Sequence, residues 1–286
     1  MNKIKVGATV AFEANFTRQP LQGTVTHAGN GQVKIKTSDG EVHSRMVSRV
    51  KPIPLRPPRP DIATRFKYMR KVVQMVANAD VVSAIISGPG GLGKSHTVTE
   101  TLASLGMKKG VDYQLVKGFT SARGLYETLY NNNDVLTVFD DCDSALKDRT
   151  SASILKGALD SHAIREISWL VKASTMDATI PLKFEYDGRI IFVTNKLVQE
   201  LDGPLRTRSL VVNLQMTRQE ILDWLEHLLP DIKGFSMADK TKALAFIRSV
   251  APAVGLLSIR TILMVLKIMK ASPLDWQELS EHTLTQ

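Results

Sequence analysis

An apolar run, VVSAIIS, breaks into Gly88-Pro89-Gly90-Gly91-Leu92-Gly93-Lys94-Ser95, and a helix-like stretch follows at once. Two glycines flanking four residues, then Lys and Ser, form the spacing of a phosphate-binding loop. Glycines let backbone N–H groups turn inward around phosphate oxygens, and the following helix directs its positive dipole end at them. In that arrangement Lys94 reaches the β- and γ-phosphates of ATP and the Ser95 hydroxyl ligates Mg²⁺. His96, next in the helix, is grouped with the loop among the cofactor-contacting residues.

The surrounding pattern agrees. From residue 61 helices and strands alternate: a helix near 61–78, the strand before the loop, a helix over 94–105, the strand DYQLVKG, a helix near 121–131, and the strand DVLTVFD. A helix near 150–161, two strand-like stretches (EISWLVKA and IPLKFEYDG), the strand RIIFVTN and the strand SLVVNLQM complete the run. Such alternation implies parallel strands with crossover helices. From 217 the chain reads as helix only, over 217–229, 237–250 and 258–270, with a looser tail. Val135 to Phe139 is an apolar strand ending in Asp140 and Asp141, at the strand ends where such sheets bind ligands. Asp140 is placed to hold the Mg²⁺ shell, the Walker B role, and Asp141 to act as general base or to orient water.

Residues 1–50 differ. VGATVAFEA, LQGTVTHAG, QVKIKTSDG and EVHSRMV alternate or carry β-branched residues, with turn residues between them, Asp39-Gly40 the clearest. They predict a small, strongly bent β-barrel that resembles the Tudor/KOW kind. Residues 51–60, KPIPLRPPRP, hold five of the chain's twelve prolines and read as a semi-rigid spacer. The expected organisation is therefore a basic barrel (1–50), a linker (51–60), an α/β core (61–216) and a helical lid (217–286).

Charge is uneven along this plan. Residues 1–71 hold 14 Lys/Arg against 4 Asp/Glu, a net +10, and residues 72–286 hold 23 against 24, a net −1. Clustered positive charge suits polyanions, nucleic acid first among them, or serves as a solvated face. One cysteine, Cys142, excludes a disulfide framework, and no apolar run nears the roughly 20 residues that cross a bilayer. The N-terminus lacks a signal-peptide core, so a cytoplasmic setting is expected. His27, His43 and His96 lack metal-ligand spacing.

Residues 61–286 resemble the AAA+ family of P-loop ATPases, whose further landmarks occur in order. Ile190-Ile191-Phe192-Val193-Thr194-Asn195 is similar to the sensor-1 strand, which implies that Asn195 orients the attacking water. Gly203-Pro204-Leu205-Arg206-Thr207-Arg208-Ser209 is similar to the arginine-finger segment. There Arg208, with Arg206 the alternate, reaches a neighbouring subunit's ATP. Gly255-Leu256-Leu257-Ser258-Ile259-Arg260 puts Arg260 where the sensor-2 arginine reaches across the nucleotide. The family usually carries Glu where this chain has Asp141, which puts the hydrolysis rate in question. Residues 164–187 form an inserted strand pair of the kind that faces a ring pore, with Trp169, Lys172 and Lys183 as contacts, although core packing also suits Trp169.

The resemblance implies a homo-oligomeric ring, most often a hexamer, that hydrolyses ATP with Mg²⁺. Two jobs fit: a DNA-associated motor or loader that uses the basic residues 1–71, or a protein remodeller whose barrel docks a protein partner. A nucleotide switch with little hydrolysis is a third. No aromatic-Gly pore loop is evident, Lys117-Gly118-Phe119 being the nearest approximation. The compact layout is that of small ATPases of phages and mobile elements, for which the setting is the host cytoplasm.

Overall fold

The computed structural model describes residues 4–13, 20–52, 59–118, 120–162, 164–169 and 180–285. It divides into two units, Met1–Arg59 and Pro60–Gln286.

The first unit is an antiparallel sheet of β1 (Thr9–Glu13), β2 (Pro20–Gly29), β3 (Gln32–Thr37), β4 (Val42–Met46) and β5 (Lys51–Pro52), in the order β4-β3-β2-β1-β5. Asn30 and Gly31, both at positive φ (50° and 76°), make the two-residue turn whose twist suits a hairpin. At the next turn the Asp39 carboxylate accepts from Thr37 Oγ1 and from the Glu41 N–H, and Gly40 takes φ 94°. Strict alternation in β3 buries Val33 and Ile35 and leaves Lys34 and Lys36 outside. Val33 and Ile35 join Val10, Phe12, Val25 and Val50 in a small core. β5 falls within the stretch read above as spacer: Lys51 and Pro52 pair with Ala11 and Val10. Pro52 has no N–H, and this edge position suits it.

The second unit starts from Asp61, whose carboxylate accepts from the Thr64 N–H at 2.9 Å and caps α1 (Ile62–Ala77). There follow β6 (Ser83–Ser87), α2 (Lys94–Ser104), β7 (Tyr113–Lys117), α3 (Ala122–Asn131), β8 (Leu136–Asp140), α4 (Asp143–Lys147) and α5 (Arg149–Ala158). Next come β9 (Glu166–Ser168), β10 (Lys183–Glu185), β11 (Arg189–Thr194), α6 (Gly203–Arg208) and β12 (Leu210–Asn213). Five of these strands form a parallel sheet ordered β12-β6-β11-β8-β7. Its inner strands are unbroken buried runs because both faces are covered. One face packs Ala84, Ile86, Val138 and Ile191 against α1 and α2. The other packs Ile85, Phe139, Ile190 and Phe192 against α3, α5 and the β9–β10 pair.

Helices α7 (Arg218–Leu228), α8 (Met237–Val250), α9 (Ile259–Ala271) and α10 (Trp276–Leu284) close the chain around a core of their own. The parallel-sheet core, the C-terminal helices and the small all-β unit before them are the architecture the sequence leads one to expect. The tail read as loose is α10, held by Trp276, which lies edge-on to Phe246 at 5.1 Å.

Candidate functional site

The phosphate-loop sequence leaves the carboxyl end of the central strand β6 and enters α2. Two of its glycines are required by space and by backbone. A Cβ at Gly88 would lie 2.8 Å from the Cβ of Leu214, because the loop passes against the end of β12. Gly91 has φ 68°, and a Cβ there would lie 2.9 Å from that of Ser258. Lys94 opens α2 and folds back over the loop, its Nζ donating to Gly88 O (2.8 Å), Pro89 O (2.7 Å) and Asn195 Oδ1 (2.9 Å). Burial pulls the Lys94 ammonium down to about 8, against the opposing pull of Asp141, Asp140 and Asp143.

Beside it stand the acids at the end of β8. Asp140 is buried, and its Oδ1 accepts from Ser95 Oγ at 2.5 Å. Its Oδ2 lies 2.9 Å from Lys117 Nζ, at the end of the adjacent strand β7. Asp141 turns out of the strand at φ 56°, left-handed backbone that costs a non-glycine residue about 1 kcal/mol. Its N–H donates to Val193 O at 3.0 Å, and its Oδ1 accepts from Asn195 Nδ2 at 2.8 Å. Asn195 thus joins the Lys94 ammonium to the Asp141 carboxylate. Thr194 Oγ1 donates to Asp143 Oδ1 at 2.5 Å, tying β11 to the start of α4.

The C-terminal helices reach the same loop. The Ile259 N–H donates to Gly91 O at 2.9 Å, and Trp224 Nε1 donates to Leu92 O at 3.3 Å. Trp224 is also stacked on Phe66 of α1, ring centroids 4.3 Å apart. A cleft of about 210 Å³ is lined by Gly90, Gly91, Gly93, Lys94, Ser95, His96, Asp141, Asn195 and Arg260. A second, of about 360 Å³, runs from Pro89, Gly90 and Gly91 to Arg218, Ile221, Gly255, Leu256, Leu257, Ser258 and Arg260.

This chemistry fits a nucleotide with its metal. Ser95 and Asp140 present hard oxygen donors side by side, suited to Mg²⁺, which takes few protein ligands and shares substrate phosphates. No cluster of three or more His, Cys, Asp or Glu side chains able to hold a metal occurs among the described residues.

The structure therefore brings together the loop, Lys94, Ser95, His96, Asp140, Asp141, Asn195 and Arg260. It does not bring Arg206 or Arg208 to this cleft. Both stand exposed on α6, and Arg208 pairs with Asp160 at 3.8 Å. Trp169 is half-buried against Tyr126, centroids 5.7 Å apart, and Lys183 pairs with Glu166 at 2.6 Å. Lys172 and Phe119 lie outside the described residues. Cys142 is buried behind the acids, and burial pushes its thiol up to about 11. Sequence reasoning missed Lys117 and Trp224 as members of the site. The one available signal for Lys117 was its place at the end of a strand, level with Asp140 in a parallel sheet.

No family model matches this chain. A relative from Enterobacteria phage T4, the uncharacterized 36.7 kDa protein in the nrdC-mobD intergenic region, is 28% identical over 239 residues, 77% of this chain and 73% of its own length. Among solved structures, one variant of Thermotoga maritima RuvB has a TM-score of 0.49 at 15% identity, covering 80% of this chain and 74% of that chain. A second RuvB variant has a TM-score of 0.47 at 14% identity, covering 78% of this chain and 69% of that one.

Proposed function

We propose that this chain is an ATPase of the AAA+ type that binds Mg-ATP at residues 88–95, hydrolyses it in a homo-oligomeric ring, and acts on DNA as a motor or loader. The observation that carries this is the convergence of Lys94, Ser95, Asp140, Asp141 and Asn195 on one loop at the carboxyl end of a parallel sheet. The loop N–H groups and Lys94 hold the phosphates, and Ser95 with Asp140 holds the metal. When bound, Mg²⁺ supplies positive charge to the phosphate oxygens as charge builds on them. Asn195 positions water, and Asp141 takes its proton. Because Asp141 is one methylene shorter than Glu, its carboxylate stands further back, and Asn195 holds it in place. The clefts beside Arg260 and Leu257 suit the rest of the nucleotide.

Arg208, with Arg206 as alternate or companion, serves the site of a neighbouring subunit. Their exposure on α6, away from the chain's own loop, suits contact with a second copy. A hexamer is the ring size we favour. The basic residues 1–71 contact DNA by phosphate neutralisation, with Lys34 and Lys36 on the exposed face of β3. The phage T4 relative favours a phage origin and a host-cytoplasmic setting; no helix among the described residues is long and apolar enough to cross a membrane. A second reading, a protein remodeller docking a partner through the same sheet, draws on Val42 and Met46, which are 59% and 49% exposed on β4.

The test is steady-state ATPase rate with and without single- and double-stranded DNA at two salt concentrations, on the full chain and on its Lys34→Glu/Lys36→Glu variant. Stimulation by DNA that weakens with salt and is lost in the variant establishes the DNA reading. Turnover indifferent to DNA transfers the assignment to protein remodelling. Absence of turnover that depends on Lys94 overturns the ATPase assignment.

A further inference from the structure

Asp140 is a nearly enclosed carboxylate, its side chain 6% exposed, and both of its oxygens are engaged. Ser95 Oγ donates to Oδ1 at 2.5 Å, and the Lys117 ammonium stands 2.9 Å from Oδ2. The second contact differs from the first in kind. Ser95 belongs to the loop and is a metal ligand in its own right under the proposed function. Lys117 comes from the neighbouring strand β7, and its side chain is 63% exposed, so it reaches the buried carboxylate from solvent. Lys94 does not share this duty, since its three hydrogen bonds go to Gly88, Pro89 and Asn195.

The placement is built into the sheet. Lys117 and Asp140 are level in the parallel β7–β8 ladder, and the Gly118 N–H donates to Asp140 O at 3.3 Å, which holds the lysine backbone level with the acid. The side chain above it runs through solvent to the carboxylate.

We propose that Lys117 competes with the divalent cation for the Asp140 carboxylate and thereby sets the Mg²⁺ concentration at which nucleotide binds. The inference rests on the nucleotide-site reading above. Two cations cannot share one carboxylate without repulsion, and a lysine side chain with a solvent path is the one that yields. Its displacement costs the ion pair, and that cost is subtracted from the metal's own affinity. Lys117 otherwise neutralises Asp140 in a stretch where Asp141 and Asp143 crowd negative charge into four residues.

The experiment titrates a fluorescent ATP analogue into the full chain across a Mg²⁺ series and reads the Mg²⁺ midpoint of binding, with no turnover required. Lys117→Met, which keeps the apolar stem, is expected to lower that midpoint about fivefold, the equivalent of about 1 kcal/mol for one ion pair. Lys117→Arg is expected to keep the wild-type midpoint within about twofold, because the charge remains. A midpoint unchanged in Lys117→Met overturns the proposal. So does one moved to higher Mg²⁺, which would make Lys117 a ligand of the nucleotide. If the wild-type chain binds the analogue at no Mg²⁺ concentration, the nucleotide-site reading falls and this inference with it. Wild-type binding with an unmoved variant removes the inference alone.

Discussion

A methyl group placed on Gly91 tests how the C-terminal helices are seated on the loop of residues 88–95. Gly91→Ala puts a side chain on backbone at φ 68°, a conformation that costs about 1 kcal/mol. The new Cβ would stand 2.9 Å from Ser258 Cβ and 3.2 Å from Ser258 Oγ, too close for either to stay. Overpacking of this kind costs about 1–3 kcal/mol. Moving Ser258 also pulls on its neighbour Ile259, whose N–H donates to Gly91 O at 2.9 Å, a bond worth about 1 kcal/mol. The expected loss is about 3–5 kcal/mol, a large share of the roughly 5–15 kcal/mol that holds a domain folded. Urea unfolding followed by tryptophan fluorescence measures it, because Trp224 of α7 contacts Phe66 and Leu92. Adding Ser258→Gly completes a double-mutant cycle. Removing the serine side chain should return the steric share, about 1–3 kcal/mol, while the φ strain persists. A Gly91→Ala cost below about 1 kcal/mol, or a cycle that is simply additive, would refute this account of the seat.

Other outcomes follow from the same geometry. Lys94→Ala should abolish binding of fluorescent ATP, since it removes the ammonium that spans Gly88, Pro89 and Asn195. Asn195→Ala frees both Lys94 and Asp141; nucleotide affinity should change little while kcat falls by about tenfold or more, the equivalent of one charge-assisted hydrogen bond. Arg208→Ala should leave binding intact and lower kcat by about 10³–10⁵. Mixing it with Lys94→Ala should restore part of the turnover, and full activity of Arg208→Ala alone would end the finger assignment. Cys142 should resist thiol reagents at pH 8 in the folded chain, because burial raises its pKa to about 11 and leaves little thiolate; reaction should appear only with urea unfolding.

The α/β core was legible because β6, β8 and β11 are buried on both faces and therefore read as continuous apolar runs, with helices of full length between them. The loop of residues 88–95 was legible because its residues are contiguous in sequence between an apolar strand and a helix. Short elements were not: α4 and α6 span too few residues to show a period, and β5 is two residues that opened what reads as a proline spacer. In α10 only Trp276 and Ser280 are buried, too few to outweigh a polar tail. Within the site, the contacts of Trp224 and Ile259 join the loop to residues far along the chain, which no local pattern announces. Lys117 was hidden for another reason: its partner depends on which strand lies next to β8 and in what register.

The strand order also has a consequence in time. β6, the strand that carries the phosphate loop, is flanked by β11 and β12, and both follow it in the chain by more than a hundred residues. During synthesis at about 5–20 residues per second, β6 would wait on the order of 10 s for its neighbouring strands, both of its edges unpaired. The loop is made early, yet Leu214, Trp224 and Ile259, which meet it, emerge only later, so a truncated chain ending before β11 should be prone to aggregation.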